Sequence, residues 1–544
     1  MTKISSVLCT FILLVTAAAV PAGENPPDPS AGTVLHTAVK RVALPRTDPE
    51  TMGSATAESD ARVAALQAKL SEGRQHPKPG SPMENIEFAP SVLVPHNPPV
   101  AVGSLDLPTA GPELYVNSQP SGAAPSNYYR SEIHEPAVAA SGDRVFYTAN
   151  WYAATSSDGG AGFNFVNPSP GPFAAPTGEV FCCDQTMAHD PGTNTIFWLQ
   201  QFTPSGSSTN TGTQRINVDQ NADGSWDCAF DINTILVGFS ENTWFDFPDL
   251  AVSDNYLYHS SNAFTFNGSW AGGYAGRYPL SELAACTADP LNIDAFRSSS
   301  GSFRFSRGAQ TTMYFASHLN TQVLRVWRWP DDQSGPIAAV KYIAPWSNGN
   351  HSCPGPDGRD WCGRHDARIQ GGFVTGDTVG FMWSPSQGGS FPFPYVRIST
   401  FDAANDLEPL EDIDLWSPDF AFIYPSVAVN GDGQLGGTVM WGGGDTHYPS
   451  CSVWVADEPD SGAFVPLDHT LSIAGNFGVT NGEDRSGDYT LANVYYPDDS
   501  QFVGACFAYP TLGSGTSTYV RFGRPLSDEL FVDGFESGGT GAWN

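Results

Sequence analysis

Three acids take the same place in a recurring five-residue signature: Glu135 in Glu135-Pro136-Ala137-Val138-Ala139, Asp184 in Asp184-Gln185-Thr186-Met187-Ala188, and Asp488 in Asp488-Tyr489-Thr490-Leu491-Ala492. Carboxylates gathered on one rim repel each other unless a cation or a shared proton relieves them, which is how metal sites and acid/base pairs are built. With Tyr489 beside Asp488, these are the catalytic candidates. The plainer alternative is that each carboxylate caps backbone amides at the start of its own strand. Two further copies put Phe247 and Tyr424 at that place, in Phe247-Pro248-Asp249-Leu250-Ala251 and Tyr424-Pro425-Ser426-Val427-Ala428.

A second constellation lies between Arg359 and Arg368, the densest run of ionisable and aromatic groups in an arginine-poor chain. Guanidinium matches planar carboxylate or sulfate through paired hydrogen bonds, so Arg364, His365 and Arg368, together with Tyr424, are candidate ligand-binding residues. Salt bridges to neighbouring aspartates are the alternative. His134, His189 and His259 lie near repeat starts or turns. A histidine with Tyr489 would serve β-elimination on a uronate as base and acid, arginine neutralising the carboxylate. Asp219, Asn221, Asp223 and Asp227 match positions 1, 3, 5 and 9 of a calcium loop, but Phe230 stands where the bidentate acid belongs. The loop is either a structural Ca²⁺ site or a polar hairpin turn. Serine-hydrolase, P-loop and HExxH signatures are absent.

The elements that position these groups follow from the repeat. The Ala anchors are separated by 49, 63, 177 and 64 residues, and the long interval accommodates two degenerate copies, at Gln310 to Ala316 and at Arg368 to Phe373. Each signature leads through a turn into an aromatic strand, such as Val145 to Thr148 or Ile196 to Leu199. Short antiparallel strands repeated seven times predict an all-β fold, a seven-bladed β-propeller. A small Ala after a bulky residue suits the innermost strand, where strands crowd the axis. The residue before that strand then faces the funnel. Because unit seven neighbours unit one, the three acids fall on adjacent blades.

Composition agrees. The 544 residues include 56 Gly and 44 Pro and are 12% aromatic but only 15% charged, below the usual quarter, which excludes a mainly helical chain. A formal charge of −32 excludes a nucleic-acid partner held by phosphate neutralisation and argues against docking on an anionic membrane. Residues 1–22 read as a signal peptide, 23–112 as a Pro/Ala-rich disordered or pro-like segment with one short helix at Ser59 to Gly73, 113–525 as the propeller, and 526–544 as a tail. No later stretch approaches a transmembrane span. Eight cysteines follow the leader, so an oxidising compartment allows up to four disulfides. Cys353 and Cys362 are expected to pair, and the adjacent Cys182 and Cys183 to find different partners.

Ser156-Ser157-Asp158-Gly159-Gly160-Ala161-Gly162-Phe163 resembles the Asp-box hairpin of the sialidase and BNR-repeat propellers. The resemblance implies a structural turn remote from any active site. Arg130 is similar to the N-terminal arginine of sialidases, without the Ile-Pro that follows it there. The full sialidase set of three arginines, a Tyr–Glu pair and an Asp cannot be placed, so none is carried over. The tail from Leu530 to Trp543 resembles DGFESGDTSAW-like tails of exported bacterial proteins, which implies a secreted or surface protein. The resulting expectation is a monomeric propeller that recognises an extracellular glycan through an axial polar funnel. The alternative is a glycan-active enzyme, either a hydrolase or a lyase.

Overall fold

The computed structural model describes residues 39–48, 100–101, 111–124, 133–169, 171–204, 211–457, 468–481 and 484–525. The leader, the stretch from Ser59 to Gly73, Arg130 and the tail beyond 525 lie outside the described residues. Seven sheets form a β-propeller. Its innermost strands include Ala137–Ser141, Glu179–Asp190, Thr243–Val252, Ile369–Thr375 and Leu491–Val494. Blade six has a broken inner strand, Ala421–Ile423 and Ala428–Val429, both paired with Leu435–Gly443. Ala139, Ala188, Ala251, Ala428 and Ala492 all lie on these strands and are buried, since only a small side chain fits where neighbouring sheets converge. Between blades, aromatic residues fill the wedge that opens outward; Tyr258, Phe296, Phe303 and Trp327 form one such cluster.

Blade four differs from the sequence reading. Its innermost position is held by Phe305 to Arg307, which bridges Phe315 and runs parallel to Gly372 and Phe373 of blade five. Thr312–Asn320, containing Phe315 and Ala316, lies one strand outward. The pair Phe315-Ala316 imitates the anchor, whereas the true inner strand alternates Phe303 and Phe305 with Ser302, Arg304 and Ser306 and has no Ala.

The ring closes within blade seven. Glu113–Ser118 pairs antiparallel with Ser514–Gly523 as its outermost strand, and the chain then enters blade one. Parallel bridges His134–Gly487 and Ser141–Tyr496 join blades one and seven near the axis. Gly487 makes this approach possible, for a Cβ there would lie 1.7 Å from the His134 carbonyl oxygen. Parts of the N-terminal segment join the outer edges: Lys40–Leu44 pairs with Leu291–Ser298, Arg46–Thr47 with Cys228–Asn233, and Val100–Ala101 with Glu408–Trp416. Val42 and Leu44 are buried there, which explains why this stretch is ordered in a region otherwise poor in apolar residues.

Among the described residues four disulfides are present: Cys182–Cys183, Cys228–Cys286, Cys353–Cys362 and Cys451–Cys506. Cys353 and Cys362 pair as expected. Cys182 and Cys183 bond to each other instead of to separate partners, because they lie in a bulge that turns the chain sharply. Four bridges suit an oxidising compartment. Among the described residues no helix is long and apolar enough to cross a membrane.

Candidate functional site

The strand starts that ring the axis are irregular. Phe247 and Tyr424 have positive φ, 57° and 53°, and Cys183, just before Asp184, has φ of 59°. Such backbone is sparsely populated for residues with a Cβ and persists only where its surroundings hold it. Its effect is to turn successive side chains inward at the mouth of the ring.

Glu135, Asp184 and Asp488 come together there. The Arg485 Nη2 lies 3.1 Å from Glu135 Oε1 and 3.1 Å from Asp488 Oδ2. Asp184 is hydrogen-bonded through its side chain to Glu135 and to a fourth acid, Asp246, and its Oδ2 accepts the Phe247 N–H at 3.1 Å. All four acids are buried. Burial first, then the neighbouring Asp488, pushes Glu135 up to about 7, and burial with Glu135 raises Asp184 further. Adjacent carboxyls in a water-poor site cannot both ionise cheaply, so Glu135 and Asp184 share a proton. Burial works against the charge on Arg485, but Asp488, then Glu135, Asp184 and Asp246, outweigh it and hold the guanidinium firmly charged. Tyr489 donates to the Gln185 carbonyl at 3.0 Å and is held protonated by burial and by Asp184.

Beside the acids lies a cationic half contributed by blades four and five. The Phe247 ring is sandwiched between Arg304 at 3.8 Å and Arg368 at 4.1 Å, with Tyr489 edge-on at 5.8 Å. Arg304 and Arg307 share Asp249, at 3.6 and 2.7 Å. Arg368 gives its Nε to Asp366 at 2.7 Å, but its Nη1 and Nη2 have no hydrogen-bond partner among the described residues, although the residue is only 4% exposed. The Tyr424 hydroxyl donates to the Gly487 carbonyl at 2.6 Å, and its ring meets His365 at 4.5 Å, which in turn meets His351 at 4.7 Å. Arg364 is half-buried on the same loop.

Among the described residues the mouth of the ring is filled by buried side chains. Below this layer the channel holds a cavity of about 20 Å³ whose walls include Arg304, Arg307, Gln370, Tyr489 and Thr490. That is room for about one water. Bulky Phe247, Tyr424 and Tyr489 and the paired charges fill the space that a column of small residues would have left open.

The other candidates stand apart from this site. His134 Nδ1 pairs with Ser517 Oγ at 2.9 Å, His259 with Tyr278 and Gln214, and His189 with Asn194. Burial lowers His134 and His259 to about 3, so both are neutral. In the outer hairpin of blade two, Asp219 accepts the N–H groups of Asp223 and Gly224, Asp223 that of Ser225, and Asp227 that of Gln220. Asn221 contributes its carbonyl to Asn194 instead. The carboxylates cap the amides of their own turn, as in a polar hairpin. Melting in excess EDTA is expected to match melting in millimolar Ca²⁺; a higher Tm with Ca²⁺ would show an ion bound to the folded state. The Ser156 hydroxyl and Asp158 carboxylate close the blade-one hairpin by accepting the Gly160 and Gly162 N–H groups, both at 2.9 Å, far along the strand from the axis.

Asp246, Arg304 and Arg485 were not singled out from the sequence. Asp246 is masked by the bulge that puts Phe247 in its column. Arg304 sits on the inner strand that lacks an Ala anchor. Arg485 lies in a connecting segment without periodicity, and only its position three residues before Asp488 marks it.

No protein-family model matches the chain, and no curated protein sequence matches it. Among solved structures, the GH93 α-L-arabinofuranosidase of Fusarium graminearum in complex with arabinobiose aligns with TM-score 0.37 and 10% identity over 75% of this chain and 97% of that one. The NanB sialidase from Streptococcus pneumoniae aligns with TM-score 0.38 and 9% identity over 60% and 67%. A Trypanosoma rangeli sialidase aligns with TM-score 0.34 and 9% identity over 62% of this chain and 53% of that one. Likeness this faint carries nothing about substrate or residue roles; those rest on the side chains described above.

Proposed function

We propose that the chain is a secreted or surface β-propeller, acting as a monomer, whose axial site recognises an anionic group on an extracellular glycan without cleaving it. The observation that carries this reading is the Arg368 guanidinium, buried over Phe247 with both Nη atoms free of acceptors among the described residues. A desolvated cation lacking acceptors is unfavourable, and a carboxylate or sulfate offers the two parallel acceptors that its geometry requires. The carboxyls alongside supply donors and acceptors for sugar hydroxyls. Four disulfides support export.

Two observations favour recognition over catalysis. Glycosidases hold their carboxyl groups about 5 to 9.5 Å apart over a cleft with room for the sugar or a water, whereas Glu135 and Asp488 are tied to one Arg485 nitrogen and Asp184 lies in the same buried cluster. The lyase pairing of His134, His189 or His259 with Tyr489 is not formed, each of these histidines being bonded elsewhere. Because the channel is closed, binding is coupled to displacement of the side chains over Arg368, and association is expected to be slow.

The test is a glycan array carrying neutral, uronate and sulfated glycans, with a reducing-end release assay on the same preparation. Anionic glycans are expected to bind without release, and Arg368→Gln to weaken binding at least tenfold. Release that disappears in Glu135→Gln or Asp184→Asn would replace recognition with hydrolysis, and binding to no glycan would remove the ligand class.

A further inference from the structure

Asp184 owes its position to an irregularity in its strand. In blade two Phe181 pairs with Phe202 and Gln185 with Gln200, so three residues, Cys182, Cys183 and Asp184, face the single residue Gln201. Bulges of this kind re-aim a side chain. Here the extra residues swing the Asp184 carboxyl onto Glu135 and Asp246 and leave Cys183 at φ 59°. An irregular stretch with a left-handed cysteine would relax if free to do so, and the bond between the two sulfurs is what closes it. The pair sits in an apolar nest of Trp151, Phe181 and Phe202, which offers the backbone no alternative hydrogen bonds.

We propose that the Cys182–Cys183 disulfide is a redox-sensitive latch on the axial site. While oxidised it holds Asp184 against Glu135, and its reduction by a small dithiol lets Asp184 leave the carboxyl cluster. In that step a dithiol thiolate attacks one sulfur and the S–S bond breaks. The second dithiol sulfur then displaces the mixed disulfide, leaving two protein thiols and one cyclic disulfide, with two electrons and two protons passing from dithiol to protein. The other three bridges span nine or more residues and do not touch Asp184. The latch does not depend on the identity of the ligand; its consequence, loss of binding on reduction, rests on the glycan-recognition reading.

The groups facing the Asp184 carboxyl are Glu135, Asp246, Asp488 and Tyr489, with Arg485 pairing two of the acids. A ligand-free readout is therefore available: the infrared band of the protonated Asp184 carboxyl, assigned by its loss in Asp184→Asn and followed by pH titration of the full-length oxidised protein, with a midpoint expected well above the ordinary aspartate value. After dithiothreitol treatment that opens this bridge, as verified by mass spectrometry, the midpoint of the Asp184 carboxyl is expected to fall by more than one pH unit towards the ordinary carboxyl value of about 4, because it is no longer buried beside Glu135. Cys182→Ala/Cys183→Ala is expected to behave like the reduced protein, and Cys228→Ala/Cys286→Ala to keep the original midpoint. An unchanged midpoint with the bridge open overturns the latch, as does a bridge that stays closed in the folded protein at millimolar dithiol, or an equal fall in the Cys228/Cys286 variant. Glycan binding measured on the same samples separates the two proposals. A shifted midpoint with no glycan bound in either redox state leaves the latch standing and removes the ligand reading.

Discussion

Replacing Arg485 with Met lowers the stability of the propeller at pH 7 by about 3–5 kcal/mol, as expected when one partner of a buried ion pair is removed and the other remains. Arg485 is 9% exposed at its side chain and is bonded to two acids that are 0% and 6% exposed, so water cannot replace it. Methionine keeps most of the length and apolar surface of the side chain, which limits the change to charge and hydrogen bonding. The deficit is expected to shrink at pH 5, because the abandoned carboxyls can then take up protons. Urea unfolding midpoints at the two pH values measure both effects. Arg359→Met, which breaks the exposed pair with Asp357, serves as the comparison and is expected to cost less than about 1 kcal/mol. Equal losses for the two variants would mean that the axial charges are solvated and not a closed cluster.

The second large effect is on pH dependence. The folded state raises Glu135 from 4.5 to about 7, so it favours the protonated carboxyl. The stability this gives is complete below the unfolded value and is lost as pH climbs through the interval up to about 7. By linkage the loss by pH 8 is roughly 3 kcal/mol. Glu135→Gln cannot ionise, so its unfolding free energy is expected to decline between pH 5 and pH 8 by roughly 3 kcal/mol less than the parent's, while Glu179 and Asp219, which burial also holds up to about 7, contribute to the decline of both. Denaturant titrations at four or five pH values test this, and parallel declines for parent and variant would assign the proton to another group.

Much of the architecture was legible because a ring forces the same constraint on every unit. The axis admits only small side chains, so Ala139, Ala188, Ala251, Ala428 and Ala492 recur with the period of the blades. The grouping of Glu135, Asp184 and Asp488 followed from closure, which makes the first and last units neighbours. What stayed hidden depended on contacts between units, which a repeat does not encode. Phe305 to Arg307 is innermost because blade five offers it a parallel partner, while Phe315-Ala316 bears the more typical sequence. Cys182 and Cys183 found each other because a two-residue bulge brought their sulfurs together, and sequence adjacency alone does not reveal a bulge. The closed mouth was also out of reach, since it comes from Arg304 and Arg368 stacking on opposite faces of Phe247, three residues drawn from three blades.

The outermost strand of blade seven is made early in the chain and its partners late: Asn117 is hydrogen-bonded to Thr518, 401 residues away. A polypeptide made N-terminus first must keep that edge unpaired until the final hairpin has been made, so maturation cannot proceed one sheet at a time to completion. The circle snaps shut as a last, long-range event. Release of the C-terminal hairpin, and not the order in which the blades are made, then decides when the native ring forms.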